Sequence, residues 1–200
     1  MGAWKINLTF KYSQKTKTKM KNTFFSTGIE MLSKKIAGLS FEFFISQMSK
    51  ILDNARGMSD LPGREYDRRG YLTLMNGITG EIIFTVPFGE IPEDKDEKYF
   101  RFSQEKASRL FSQVNLHLPN VHTSSFQSRN EEEEKYGGAI YFDLHSAVII
   151  LSFSGMPELI DEAMMLVLGN KVKALLNEPL LRKIEACDRN PYFEQLLKKC

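Results

Sequence analysis

Few side chains in this sequence have the chemistry of a metal ligand or a nucleophile, and their spacing does not group them. The histidines are His117, His122 and His145, and the cysteines are Cys187 and Cys200. They are too few and too scattered for a structural zinc site or a zinc deaminase centre, which needs its ligands at short, fixed spacings. Glu131, Glu132, Glu133 and Glu134 set four carboxylates in a row. Such a run has the appeal of a cation site, but neighbouring like charges repel one another, and it reads as a solvated surface. There is no Gly-rich phosphate loop, H-E-x-x-H helix or C-x-x-C pair. Phe153-Ser154-Gly155 lacks the first glycine of a G-x-S-x-G nucleophile elbow. Carboxylates for acid–base work can be gathered from distant segments, so the pattern weighs against an enzyme without excluding one.

The elements that would position these groups belong to an ordinary globular composition. A hydrophobic fraction of 42% and a charged fraction of 26% over 200 residues suffice for one domain with a core. Fifteen Phe against a single Trp make that core phenylalanine-rich. A net charge of +2 is too small to argue for nucleic acid. Its distribution is uneven, because Met1 to Ile29 holds no acid but carries Lys5, Lys11, Lys15, Lys17, Lys19 and Lys21. Residues 1–22 therefore read as a basic, flexible extension, either a solvated tail or an arm for nucleic acid or an anionic membrane. No stretch approaches the roughly 20 apolar residues of a membrane span, and no apolar run follows the N-terminal lysines as in a signal peptide. The two cysteines fall late in the sequence, where a bridge would close little chain. Both read as reduced thiols, which points to the cytoplasm.

Phe41, Phe44, Ile45, Met48, Ile51, Leu52 and Ala55 share one face of a helix that begins near Glu30 and stops at Gly57. Tyr71 to Met75 and Glu81 to Val86 read as strands around an Asn76-Gly77 turn, with Pro87 closing the second. Glu90 to Lys98 reads as a charged loop, followed by an amphipathic helix from Tyr99 to Val114. An exposed loop over 119–137 leads to a second hairpin, Ala139 to Phe142 and Ala147 to Phe153. Its return strand is apolar on both faces and is expected in the centre of the sheet. Pro157, Glu158, Asp161 and Glu162 open a further helix suited to the N-terminal dipole, and Gly169-Asn170 is its expected cap. Short helices are expected around 173–188 and 191–199. The fold class is thus α+β. An antiparallel sheet of four to five strands, built from two hairpins, is covered by helices mostly on one side in a profilin-like or PAS-like shape. The expected division is an extension 1–22, a ligand-binding-type domain 23–172 and a helical extension 173–200.

Two segments go beyond shape. One runs from the Gly77-Ile78-Thr79-Gly80 turn through Glu81-Ile82-Ile83 to Tyr99-Phe100-Arg101-Phe102-Ser103-Gln104-Glu105-Lys106-Ala107. The other is Tyr136-Gly137-Gly138-Ala139-Ile140, followed by Ile149 to Ser154 and Gly155-Met156-Pro157-Glu158-Leu159-Ile160-Asp161-Glu162-Ala163. In order and spacing they resemble the GlcG/HbpS-like family of small heme-associated domains. That family has a strand with a turn glycine, a helix carrying Lys-Ala, a Gly-Ala-Ile strand, a Ser-Gly turn and a helix opening on Asp-Glu. The likeness covers roughly residues 69–168. It implies an α/β sandwich, homo-oligomer formation, and binding of heme or another small organic ligand. The sequence departs from the pattern in its extra N- and C-terminal helices and in Ser108-Arg109-Leu110-Phe111, where a small-residue, Thr-rich stretch is usual.

The candidate ligand-binding residues that follow are Lys106, Ser154, Gly155, His117 and His122. Gly155 also has a purely conformational use in a tight strand-to-helix turn. The same turn at a helix N-terminus could instead hold a carboxylate such as a heme propionate. Heme iron asks for an axial ligand within apolar surroundings. His117 and His122 flank Pro119 and could line a pocket; Tyr136 and Tyr141 are further candidates, and His145 is expected to be exposed in the hairpin turn. The readings carried forward are a non-catalytic small-ligand-binding domain with heme the named cofactor and, alternatively, a protein–protein interaction or scaffold module without a small-molecule ligand.

Overall fold

A computed structural model describes residues 39–58, 67–114 and 122–200, all within the unit Lys35–Cys200. The basic extension, residues 30–38 of the expected first helix and His117 lie outside the described residues.

Helix α1, Phe41–Asn54, starts on Ser40, whose side chain accepts the Phe43 N–H, and buries Phe44, Met48, Ile51 and Leu52. Strands β1, Gly70–Asn76, and β2, Ile82–Phe88, form the first hairpin. Asn76 Oδ1 accepts the N–H groups of Ile78 at 2.8 Å and Thr79 at 3.1 Å, which closes the turn locally. Pro87 does not end β2 as expected but pairs with Tyr71. That is tolerated because β2 is an edge strand, where a missing N–H breaks no ladder.

Helix α2, Glu93–Val114, begins six residues before the expected Tyr99. The charges at Glu93, Asp94 and Asp96 are first-turn acids that favour the helix dipole, so a run that reads as a loop by polarity is the exposed start of a helix. Of the expected loop up to 137, Thr123, Ser124 and Ser125 are buried, and Ser125–Ser128 form a short 3-10 turn. The four glutamates are exposed, as their charge requires.

Strands β3, Ala139–Asp143, and β4, Val148–Ser154, complete an antiparallel sheet in the order β2-β1-β4-β3, with β4 interior as expected. Met75, Ala139, Tyr141 and Ile150 lie on one face against Ala107, Leu110 and Val114 of α2. On the other face Phe84, opposite Leu74, meets Phe41 and Phe44 of α1. Helices therefore cover both faces rather than mostly one. The reason is visible in β1 and β4, which are buried at successive residues and leave no face for water.

Helix α3, Glu158–Leu176, backs the β3–β4 side of that second face. Every residue from Ile160 to Gly169 is buried, as in a helix apolar all round. It does not stop at Gly169-Asn170. A Cβ on Gly169 would stand 1.8 Å from the Phe142 ring, so the glycine is there to admit that ring, not to end the helix. The left-handed cap is Asn177, φ 52°. The boundary expected at 172/173 thus falls inside α3. The short α4, Ala186–Arg189, and α5, Phe193–Lys199, follow, and both α1 and α5 pack on α3. No helix among the described residues is long and apolar enough to cross a membrane.

Candidate functional site

Helix α2, the start of β3, the end of β4 and the start of α3 meet around one buried ion pair. Lys106, on the sheet-facing side of α2, reaches past the end of β4. Its Nζ donates to Phe153 O at 2.9 Å and to Asp161 Oδ2 at 3.0 Å. The Lys106 and Asp161 side chains are 3% and 1% exposed. Asp161 Oδ1 accepts the Met156 N–H at 3.0 Å, tying the first turns of α3 to the turn before it. Gly138 lets β3 pass this pair: at φ +117°, a Cβ there would lie 2.8 Å from Asp161 Cβ and 3.0 Å from Lys106 Nζ. Gly155, at φ +155°, has the Arg69 carbonyl where its Cβ would be. Lys106, Ser154 and Gly155 are therefore brought together, with the amine and its carboxylate already in mutual contact. The Met156 N–H, a donor of the kind a ligand carboxylate would use at a helix start, is held by Asp161.

A second network sits beside the first. Glu162, fully buried, accepts from Ser124 Oγ, from Arg189 Nη2 at 2.6 Å and from Asn190 Nδ2 at 2.8 Å. Asn190 Nδ2 also donates to Leu159 O at 2.8 Å. Arg109 donates to the carbonyls of Ser125, Ser128 and Tyr136. The loop over 122–138 and the C-terminal segment are thus fastened to α2 and α3 by charge-assisted bonds. By sequence, Asp161 and Glu162 read as dipole acids and Arg109 as a departure from the family. Their common task is to hold these segments, and only the tertiary fold reveals it. Toward β2, Thr73 Oγ1 contacts Ser103 Oγ at 2.8 Å and Thr85 Oγ1 at 3.1 Å, a polar continuation of the α2–sheet contact.

His122 lies apart from Lys106. It is half-buried, and its Nδ1 meets Gln113 Oε1 of α2 at 2.9 Å. Gln113 is seven residues beyond Lys106, about 10 Å along the helix. With Gln113 Oε1 as its acceptor, Nδ1 is the donor, and in a neutral ring Nε2 then carries the lone pair, the arrangement used by metal-ligating histidines. His145 is exposed in the second hairpin turn. Tyr136 packs on Phe102. Tyr141 is buried under Arg182, whose guanidinium lies 5.2 Å from its ring centre. Burial, aided by Asp143 and opposed by Arg182, pushes the Tyr141 phenol above its ordinary 10.0. Neither Gln113 nor Arg182 carries a motif, so sequence reading passes over both.

Elsewhere, an open cleft of about 440 Å³ is lined by Asn170, Lys173, Ala174, Asn177, Glu178 and Pro179. Among the described residues no three His, Cys, Asp or Glu side chains are grouped to hold a metal ion. Both cysteines are free thiols. Burial, with smaller contributions from nearby carboxylates, pushes Cys187 up to about 11. Comparison with known proteins finds no family model, no curated protein and no solved structure that matches the chain.

Proposed function

We propose that this chain is a cytoplasmic, non-catalytic domain that binds a small organic ligand, with heme the named candidate, and works as a homo-oligomer. The observation that carries the reading is His122, half-buried and bonded through Nδ1 to Gln113 Oε1 at 2.9 Å, which makes Nε2 the ring nitrogen that would ligate iron. The family likeness supports it, because the segments that carry the likeness converge in a sheet covered by helices on both faces. Lys106, Asp161 and Glu162 are scaffold groups in this reading, bonded to one another's surroundings and holding the 122–138 loop that carries His122. The free state of both cysteines agrees with a reducing compartment. When bound, heme would supply a redox-active iron, and His122 is the residue that would hold it. Hemin titrated into the full-length protein should give a saturable Soret shift at about one equivalent per chain. A shift that rises linearly without saturating would reject the reading.

A scaffold role without a small ligand has one observation in its favour. Leu175 and Leu181 are 59% and 58% exposed, and such side chains are candidates for a protein interface. Light scattering of the double variant Leu175→Ser/Leu181→Ser distinguishes the readings. Loss of an oligomer together with retained hemin binding would assign these leucines to assembly only.

A further inference from the structure

We infer that Asn76-Gly77 is a site of spontaneous backbone modification that the native fold holds shut and that, once converted to isoaspartate, prevents the first hairpin from closing on β4. The inference is independent of the ligand-binding reading and rests on the hydrogen bonds of the turn.

Asn76 is the only asparagine in the sequence that is followed by glycine. At such a pair the backbone nitrogen of the glycine, once it has lost its proton, attacks the side-chain Cγ of the asparagine. A bond forms between Gly77 N and Asn76 Cγ, the Cγ–Nδ2 bond breaks, and ammonia leaves with the proton. Water then opens the succinimide ring, at one carbonyl to give aspartate and at the other to give isoaspartate. Glycine favours the attack because it has no Cβ to hinder its nitrogen and its backbone turns freely.

The fold prepares the electrophile and withholds the nucleophile. Asn76 Oδ1 accepts the N–H groups of Ile78 at 2.8 Å and Thr79 at 3.1 Å. Two donors on this oxygen stabilise the charge that develops on it when Cγ is attacked, as in an oxyanion hole, and both belong to the turn itself. The Gly77 N–H, by contrast, donates to Val148 O at 2.8 Å, and Asn76 is paired with Ile149 of β4. Gly77 N therefore reaches Cγ only after the β1–β4 pairing opens at this end. Gly77 is buried, and a Cβ on it would lie 2.5 Å from Val148 Cγ1. The missing Cβ that makes the pair labile is thus the feature that lets it dock on β4. The two products differ in consequence. Aspartate keeps both acceptor bonds, whereas isoaspartate routes the backbone through the former side chain, lengthens it by one carbon and loses the register with Val148 and Ile149.

The test is ageing of the full-length wild type at mildly alkaline pH beside a synthetic peptide of residues 73–82. Mass spectrometry after proteolysis reads conversion at Asn76, and amide hydrogen exchange by NMR reads the Gly77 N–H. Conversion in the native chain should be slower than in the peptide by about tenfold or more, with the Gly77 N–H protected to a similar degree, because both need the same opening. In urea that opens the chain the two protections should vanish together. Native conversion at the peptide's rate overturns the inference. A Gly77 N–H that exchanges as in the peptide while conversion stays slow also overturns it, since the bond to Val148 is then not the guard. Chains converted in urea and returned to native conditions test the second half. Aspartate chains, and the Asn76→Asp variant as their reference, should regain Gly77 protection while isoaspartate chains do not. Full recovery of the isoaspartate chains overturns the claim that the modified hairpin cannot close.

Discussion

Lys106→Met should be among the most destabilising single changes in this protein. The substitution keeps the length of the side chain and removes the ammonium from a position where Lys106 and Asp161 are 3% and 1% exposed. Asp161 Oδ2 loses its cation at 3.0 Å and Phe153 O loses its donor at 2.9 Å, while Met156 N–H remains on Oδ1. Removing one member of a buried ion pair strands the other charge at a cost of about 3–5 kcal/mol. The orphaned carbonyl places the expected loss near the middle of that range, about 4 kcal/mol. Adding Asp161→Leu removes the stranded charge. Apolar replacement of a buried pair is often close to neutral, but here the Met156 N–H loses its acceptor, so the double variant should recover about half, roughly 2 kcal/mol. Urea denaturation followed by circular dichroism measures both, provided the slopes agree between variants. A cost below about 1 kcal/mol for Lys106→Met, or a double variant less stable than the single one, would refute the uncompensated-charge reasoning.

Three further outcomes are expected. Gly169→Ala would gain about 0.5–1 kcal/mol in an unobstructed helix. Here the new methyl meets the Phe142 ring at 1.8 Å, so thermal melts should show a loss of about 1–3 kcal/mol instead, offset when Phe142→Leu is added. The Cys187 thiol ionises near 9.0 in the ordinary case and at about 11 in the fold. Between those values the unfolded chain binds fewer protons than the folded one, so stability falls as pH rises through that window, and Cys187→Ser should flatten that part of the profile. Mass spectrometry after iodoacetamide treatment at pH 8 should find Cys187 largely unmodified in the native protein and modified after unfolding.

The parts of the fold legible in the sequence are those whose causes are local. The Asn76-Gly77 turn and the apolar run Val148 to Phe153 mark the hairpins because turn geometry and strand burial leave their signature within a few residues. Glu93 to Lys98 misleads because exposure in a first helical turn and exposure in a loop demand the same polar residues. Gly169 misleads for the opposite reason, since its cause, the Phe142 ring, is distant in sequence, whereas Gly-Asn has a familiar local meaning at helix ends. The candidate site divides in the same way. Lys106, Ser154 and Gly155 stand out in the sequence through a resemblance, yet the bonding of Lys106 to Asp161 and Phe153 O is tertiary. Gln113 and Arg182 have no local mark at all, because what sets them apart is the single side chain each one faces.

The most direct measurement of the central claim is the absorption spectrum of the hemin-loaded full-length protein compared with that of His122→Ala at equal hemin. If His122 is the iron ligand, the variant should lose the wild-type Soret position and regain a histidine-type spectrum when imidazole is added. An unchanged Soret band and unchanged affinity in His122→Ala would contradict it.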